Sequence, residues 1–183
     1  DEAGADRVRE DEEGRLVLSS DVVADWSVLR GLIARARRAR ERGDDREELR
    51  LLQEGLRLVR GPVCQDAEPG RYAWLARVRA TRESEVLVAD ATHRVAVLLG
   101  DHDPDGAGRA VEVGLRVVEL DQRLWRDDLR LAAACGRDRL AARAEALLEA
   151  AGADDLAQVD PATAALVEDL APGAGLGSRR RPA

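Results

Sequence analysis

The chain is 183 residues long with a net charge of −7, and all 29 of its Lys/Arg cations are arginine, a length that supports one good core or one core with a small appendage. The acidic balance excludes a nucleic-acid clamp held by bulk electrostatics, because phosphate repels it. Two cysteines, Cys64 and Cys135, with no Cys-x-x-Cys spacing exclude a disulfide framework or a zinc site.

In chain order, Asp1 to Glu13 is charged, poor in apolar groups and expected to be mobile. Gly14-Arg15-Leu16-Val17-Leu18-Ser19 joins a turn glycine to short apolar alternation, which predicts one β-strand whose partner lies upstream or outside the chain. Residues 1–20 are therefore a mobile start plus a strand, and a helical domain is expected over residues 21–171. Its first helix, from Ser20 or Asp21, sets Trp26, Leu29, Ile33, Ala36 and Arg40 at helical spacing and turns Arg35, Arg37, Arg38 and Arg42 outward. Gly43 ends that helix, and Asp44 or Asp45 caps the next, whose apolar face is Leu49, Leu52, Leu56 and Val59.

Arg60 to Gly70, punctuated by two prolines and two glycines, is a connection. Arg71 to Leu99 is a long helical segment, apolar at both ends and polar over Thr81 to Glu85; unbroken, it spans roughly 44 Å at about 1.5 Å per residue, and the polar middle is where a break is expected. Two hairpins follow over Val95 to Ala151. Pro161 to Leu170 is a short last helix capped by Asp160, with Leu166, Val167 and Leu170 to dock as a lid. Residues 172–183 are Gly/Pro-rich, include Arg179-Arg180-Arg181 and are expected to be a disordered tail.

A repeat organises these elements. Val95, Leu98 and Leu99 meet Gly100-Asp101 and lead into Ala107, Ala110, Val111, Leu115 and Val118; Leu129 to Ala134 meet Gly136 and lead into Leu140, Ala144, Leu147 and Leu148. Gly100 to Gly136 is 36 residues, close to the roughly 34-residue tetratricopeptide period. A weaker copy surrounds Gly43. One two-helix repeat cannot bury its apolar stripe, so neighbours stack and leave a groove or curved face for another chain. The fold class expected is all-α, a tetratricopeptide-like stack of helical hairpins with one short N-terminal strand.

Several residues invite a functional reading. Asp101, Asp103, Asp105 and Glu112, with Gly106 between them, satisfy the bare calcium-loop pattern. Gly108 and Arg109 at the next loop positions argue against it, and Pro104 at a first helical position with Asp103 as cap favours an acidic repeat turn. His93 and His102, nine residues apart, are not a helical ligand pair. Both cysteines read as inert packing, and Trp26 and Trp125 as wedges between helices. Tyr72, Trp74, Arg35, Arg38 and Arg42 are the candidate protein-contact residues. No nucleophile–base pair, phosphate loop or metal cluster is present in the pattern, so neither catalysis nor a cofactor is expected.

The order of parts resembles the bacterial transcriptional activator domain, the tetratricopeptide-like region that follows a winged helix in many actinobacterial regulators. Leu56-Arg57-Leu58-Val59-Arg60-Gly61-Pro62 is similar to the family's leucine-rich helix end followed by Arg-Gly-Pro. Arg82-Glu83, Asp90-Ala91 and Leu98-Leu99-Gly100 match its long third helix, Glu119-Leu120-Asp121 to Arg137 its third hairpin opening, and Leu156 to Leu170 its closing segment. Gly14 to Val22 looks like the last wing strand of the winged helix, so the resemblance covers about residues 14 to 170. Where the family usually has an aromatic after the third turn, this chain has Ala141, Ala142 and Arg143. That departure fits a subgroup resembling the C-terminal end of large proteins with LysM modules and membrane segments.

The resemblance implies a non-catalytic interaction or oligomerisation domain of a cytoplasmic transcriptional regulator. Its partner would be a second copy, giving a homodimer, or another regulatory protein such as RNA polymerase. DNA would be reached only through a neighbouring winged helix, and this segment would make no membrane contact. The alternative is a cytoplasmic scaffold domain of a membrane-anchored, LysM-containing envelope protein. The chain starts at Asp1 rather than methionine, and upstream domains are expected.

Overall fold

Apolar stripes at helical spacing, most of them introduced by an aspartate or a glycine, build the described residues mainly from helix. A computed structural model describes residues 7–63, 80–100 and 102–173. Two short strands come first, β1 (Val8–Glu10) and β2 (Leu16–Leu18), paired antiparallel with Val8 opposite Leu18. The strand expected after Gly14 is thus present, and its partner is the stretch just upstream, for which the composition predicted no order. Asp11 makes the connection possible: its carboxylate accepts from the backbone N–H of Glu13 and Arg15 and from Arg15 Nε, which lowers its pKa, chiefly through the Arg15 backbone bond.

Among the described residues the α-helices are α1 (Asp25–Glu41), α2 (Asp45–Leu56), α3 (Ala80–Leu99), α4 (Pro104–Val117), α5 (Gln122–Cys135), α6 (Arg137–Ala151) and α7 (Pro161–Leu170). α1 starts at Asp25, later than the expected Ser20 or Asp21, because Asp21 is used by the exit from the strands. Ser19 N–H bonds Arg7 O, its hydroxyl meets the Asp21 carboxylate, and Val22 N–H returns to Ser19 O. Asp44, Asp103, Asp121 and Asp160 each cap a helix by accepting from backbone N–H groups two or three residues on. Pro104 and Pro161 occupy first helical positions. The polar run Thr81 to Glu85 is helical and continuous with the rest of α3, with Ser84 buried and its hydroxyl bonded to Thr81 O; residues 71–79 of the expected segment lie outside the described residues.

Three hairpins result, α1/α2 around Gly43, α3/α4 around Gly100 and α5/α6 around Gly136, which stack in chain order with α7 closing the far end against α5. This is the tetratricopeptide-like stack expected from the repeat. Gly43 and Gly136 have φ of 71° and 124°, conformations that favour a residue without Cβ. One cluster, with Leu29, Ile33, Leu51, Leu52, Val88 and Val95, joins the first two hairpins. A second, with Ala89, Val111, Leu124, Leu129, Leu147 and Val167, joins the last two and takes in the α7 lid. The middle hairpin contributes to both. On α1 the buried stripe runs through Leu32 and Ala39 and leaves Arg40 exposed, a correction to the expected placement of Arg40 on the apolar face.

Candidate functional site

Ion pairs between helices, not apolar contacts alone, set how the hairpins sit on one another. Glu48 of α2 is only 2% exposed, and Arg94 of α3 meets it with two parallel bonds, Nε to Oε1 at 2.9 Å and Nη2 to Oε2 at 2.8 Å. Such a forked pair gives direction as well as attraction. His93 Nδ1 donates to Asp127 Oδ2 at 2.6 Å, and Arg123 Nη2 to Asp90 Oδ1 at 2.8 Å, tying α3 to α5. Arg126 reaches from α5 to Asp160 and Thr163 at the start of α7.

Between α5 and α6, Arg143 Nε bonds Asp128 Oδ2 at 2.5 Å while its guanidinium lies over the Trp125 ring, 5.2 Å from the centroid. Trp125 is buried and donates Nε1–H to Glu119 O, so it is a core wedge as expected. Asp128 is buried, and desolvation pushes its carboxyl above the ordinary range; the attraction of Arg143 opposes the shift without cancelling it.

These pairs frame a cleft of about 390 Å³ on the side formed by the first helix of each hairpin. α1 supplies Arg37 and Arg40 beside Ile33 and Ala36, α3 supplies Asp90, His93, Arg94 and Val97, and Glu48 and Arg123 close it from α2 and α5. Val86, Asp90, His93 and Val97 recur at helical spacing on one line of α3, and Val86 and Val97 are 53% and 56% exposed. Arg30 bridges from α1 to Glu83 at 3.2 Å, so the two helices are also joined beyond the cleft.

The expected contact residues are divided by this geometry. Arg35 and Arg38 on α1 and Arg42 at its C-cap are exposed but do not line the cleft; Arg37 and Arg40 do. Tyr72, Trp74 and Cys64 lie outside the described residues. Cys135 is exposed at the end of α5, not packed as expected, because it falls after the last buried position, Ala132. Trp26 is half-buried against the first core, with Arg30 5.9 Å from its ring centroid. Asp101 of the acidic loop is outside the described residues; Asp103 accepts from Gly106 N–H as a helix cap, and Asp105 lies inside the first turn of α4. Among the described residues no group of three His, Cys, Asp or Glu is placed to hold a metal, and no helix is long and apolar enough to cross a membrane.

Sequence reasoning missed Glu48, Arg94 and Asp127. A signal for the first was available, since Glu48 falls in the same helical stripe as Leu51, Leu52 and Gly55. Compared with known proteins, the chain matches no family model, no curated protein and no solved structure.

Proposed function

We propose that the chain is a non-catalytic protein-interaction domain of a transcriptional regulator, on the plan of the bacterial transcriptional activator domain, working beside a winged helix that contacts DNA. The observation that carries this reading is the cleft across the first helices of the hairpins, held by ion pairs that run from one hairpin to the next. A surface fixed in this way offers a partner a pre-organised site and spares the entropy of ordering it on binding. The antiparallel β1–β2 hairpin directly ahead of α1 is in keeping with a wing leading into such a domain. The test is mass by light scattering across a concentration series, paired with affinity capture from the source cell. Self-association or a stoichiometric protein partner is expected; a strict monomer that captures no protein removes the proposal.

One observation favours the second reading, a cytoplasmic scaffold in a membrane-anchored, LysM-containing envelope protein with no promoter of its own. Glu10 at the end of β1 and Asp11, Glu12 and Glu13 in the β1–β2 connection are acidic, and Arg15 of the connection is already paired with Asp11 and Glu13. A hairpin tip of that charge repels phosphate. The sequence of the full-length gene product separates the two readings: a complete winged helix favours the first, membrane spans with LysM modules the second.

A further inference from the structure

We propose that the α1/α3 cleft receives an acidic segment of a partner protein, with its carboxylates on Arg37 and Arg40 and its apolar side chains against Val97 and Ile33. The inference rests on the interaction-domain reading above and names the chemistry of the partner. The cleft is lined by four arginines, Arg37, Arg40, Arg94 and Arg123, against two carboxylates, Glu48 and Asp90, an excess of two positive charges. The chain as a whole is at −7. The cleft therefore has the opposite sign to the net charge of the molecule that carries it, which favours an acidic ligand there.

The four arginines are not equivalent. Arg94 is committed to Glu48 and Arg123 to Asp90, so both belong to the scaffold. Arg37 and Arg40, one helical turn apart and exposed, have no ion pair among the described residues, and their guanidinium forks match carboxylates. The opposite wall is part apolar, with Val97 exposed and Ile33, Ala36 and Ala91 at the floor. That mixture suits a peptide whose acidic residues alternate with aliphatic ones. It suits nucleic acid poorly: the described lining holds no Trp, Tyr or Phe, its one ring, His93, is tied to Asp127, and Asp90 and Glu48 face a phosphate backbone unfavourably.

The experiment is a fluorescence-anisotropy titration of the whole chain with a labelled peptide of Asp and Glu interspersed with Leu. A Gly-for-Leu version, a Lys-for-acid version and a single-stranded oligonucleotide serve as competitors. Saturable binding is expected, with the oligonucleotide and the Lys peptide failing to compete. An Arg37→Gln, Arg40→Gln double variant should bind on the order of tenfold more weakly. An Arg35→Gln, Arg38→Gln variant makes the same charge change outside the cleft and should stay within about twofold; melting curves confirm that both are folded. Equal losses in the two variants, preference for the oligonucleotide, or no peptide binding each overturns the proposal. In the last case self-association in light scattering removes the acidic partner alone, whereas a monomer without partners removes the interaction-domain reading as well.

Discussion

Replacing Gly114 by alanine tests the closest approach in the stack. Gly114 lies in the interior of α4, where alanine would ordinarily stabilise the helix by about 1 kcal/mol. Here a Cβ would stand 2.7 Å from Leu124 Cδ1, 2.7 Å from Thr92 Cγ2 and 2.8 Å from Thr92 Oγ1, where carbon contacts favour about 3.5–4.0 Å. Neither neighbour can retreat easily. Both are fully buried, and Thr92 is β-branched on a helix, which confines its χ1. Overpacking costs about 1–3 kcal/mol, and three simultaneous overlaps put this site at the upper end. After the propensity gain the net loss is about 2 kcal/mol, a fall in Tm of about 4–8 °C for a chain of this size. Gly108, in the same helix, has no atom within 4 Å of its would-be Cβ, so Gly108→Ala should gain up to about 1 kcal/mol. Urea unfolding of the two variants decides it. If both substitutions stabilise, α3, α4 and α5 do not meet at Gly114 as described.

Other expectations concern the polar contacts. Arg94→Met leaves Glu48 buried without its forked partner and should cost about 3–5 kcal/mol, while Glu48→Gln, which keeps an acceptor, should cost distinctly less; equal losses in chemical denaturation would place the pair in solvent. The raised pKa of Asp128 means that folding favours its protonated form. Its contribution is present in full below the ordinary value of 3.8 and lost as pH rises through the native value. Asp128→Asn should therefore be no less stable than the parent at neutral pH, with any advantage shrinking below pH 3.8; a variant clearly weaker at neutral pH contradicts this. Asp103→Ala removes the α4 cap and should cost about 1 kcal/mol. Calcium should leave the melting temperature of the parent unchanged, and a calcium-dependent rise would reinstate the acidic loop as an ion site.

What the sequence made legible was local. Helix-period stripes, Asp-Pro pairs at residues 103–104 and 160–161, and the turn glycines 43 and 136 are decided by neighbours in the chain. The pairs and these glycines appear where expected. The stripes do so apart from Arg40 on α1 and the α2 face, which runs through Glu48, Leu51, Leu52, Gly55 and Leu56 while Val59 lies beyond the helix. The start of α1 was misplaced because Ser19 and Asp21 are cap-type residues engaged in the strand exit instead. β1 gave no signal, since Val8-Arg9-Glu10 holds a single apolar residue and needs β2 to define it. The site was harder still. Glu48 and Arg94 are 46 residues apart, and periodicity identifies a face without saying which helix will cover it. The same limit applies to α1: Arg35, Arg37 and Arg38 all read as outward and Arg40 as part of the apolar face, and only the position of α3 sets Arg37 and Arg40 together on the cleft.

The middle hairpin has walls in both cores, and this governs how the molecule comes apart. Leu99 and Val95 belong to the cluster shared with α1 and α2, while Ala96, between them, belongs to the one shared with α5, α6 and α7. Adjacent residues of one helix thus answer to opposite ends of the stack. A terminal hairpin can fray at the expense of one cluster, but any displacement of α3 loosens both at once, so melting is expected as a single cooperative transition rather than hairpin by hairpin. The same helix forms a wall of the cleft, which places whatever occupies it on the element through which the two halves hold each other.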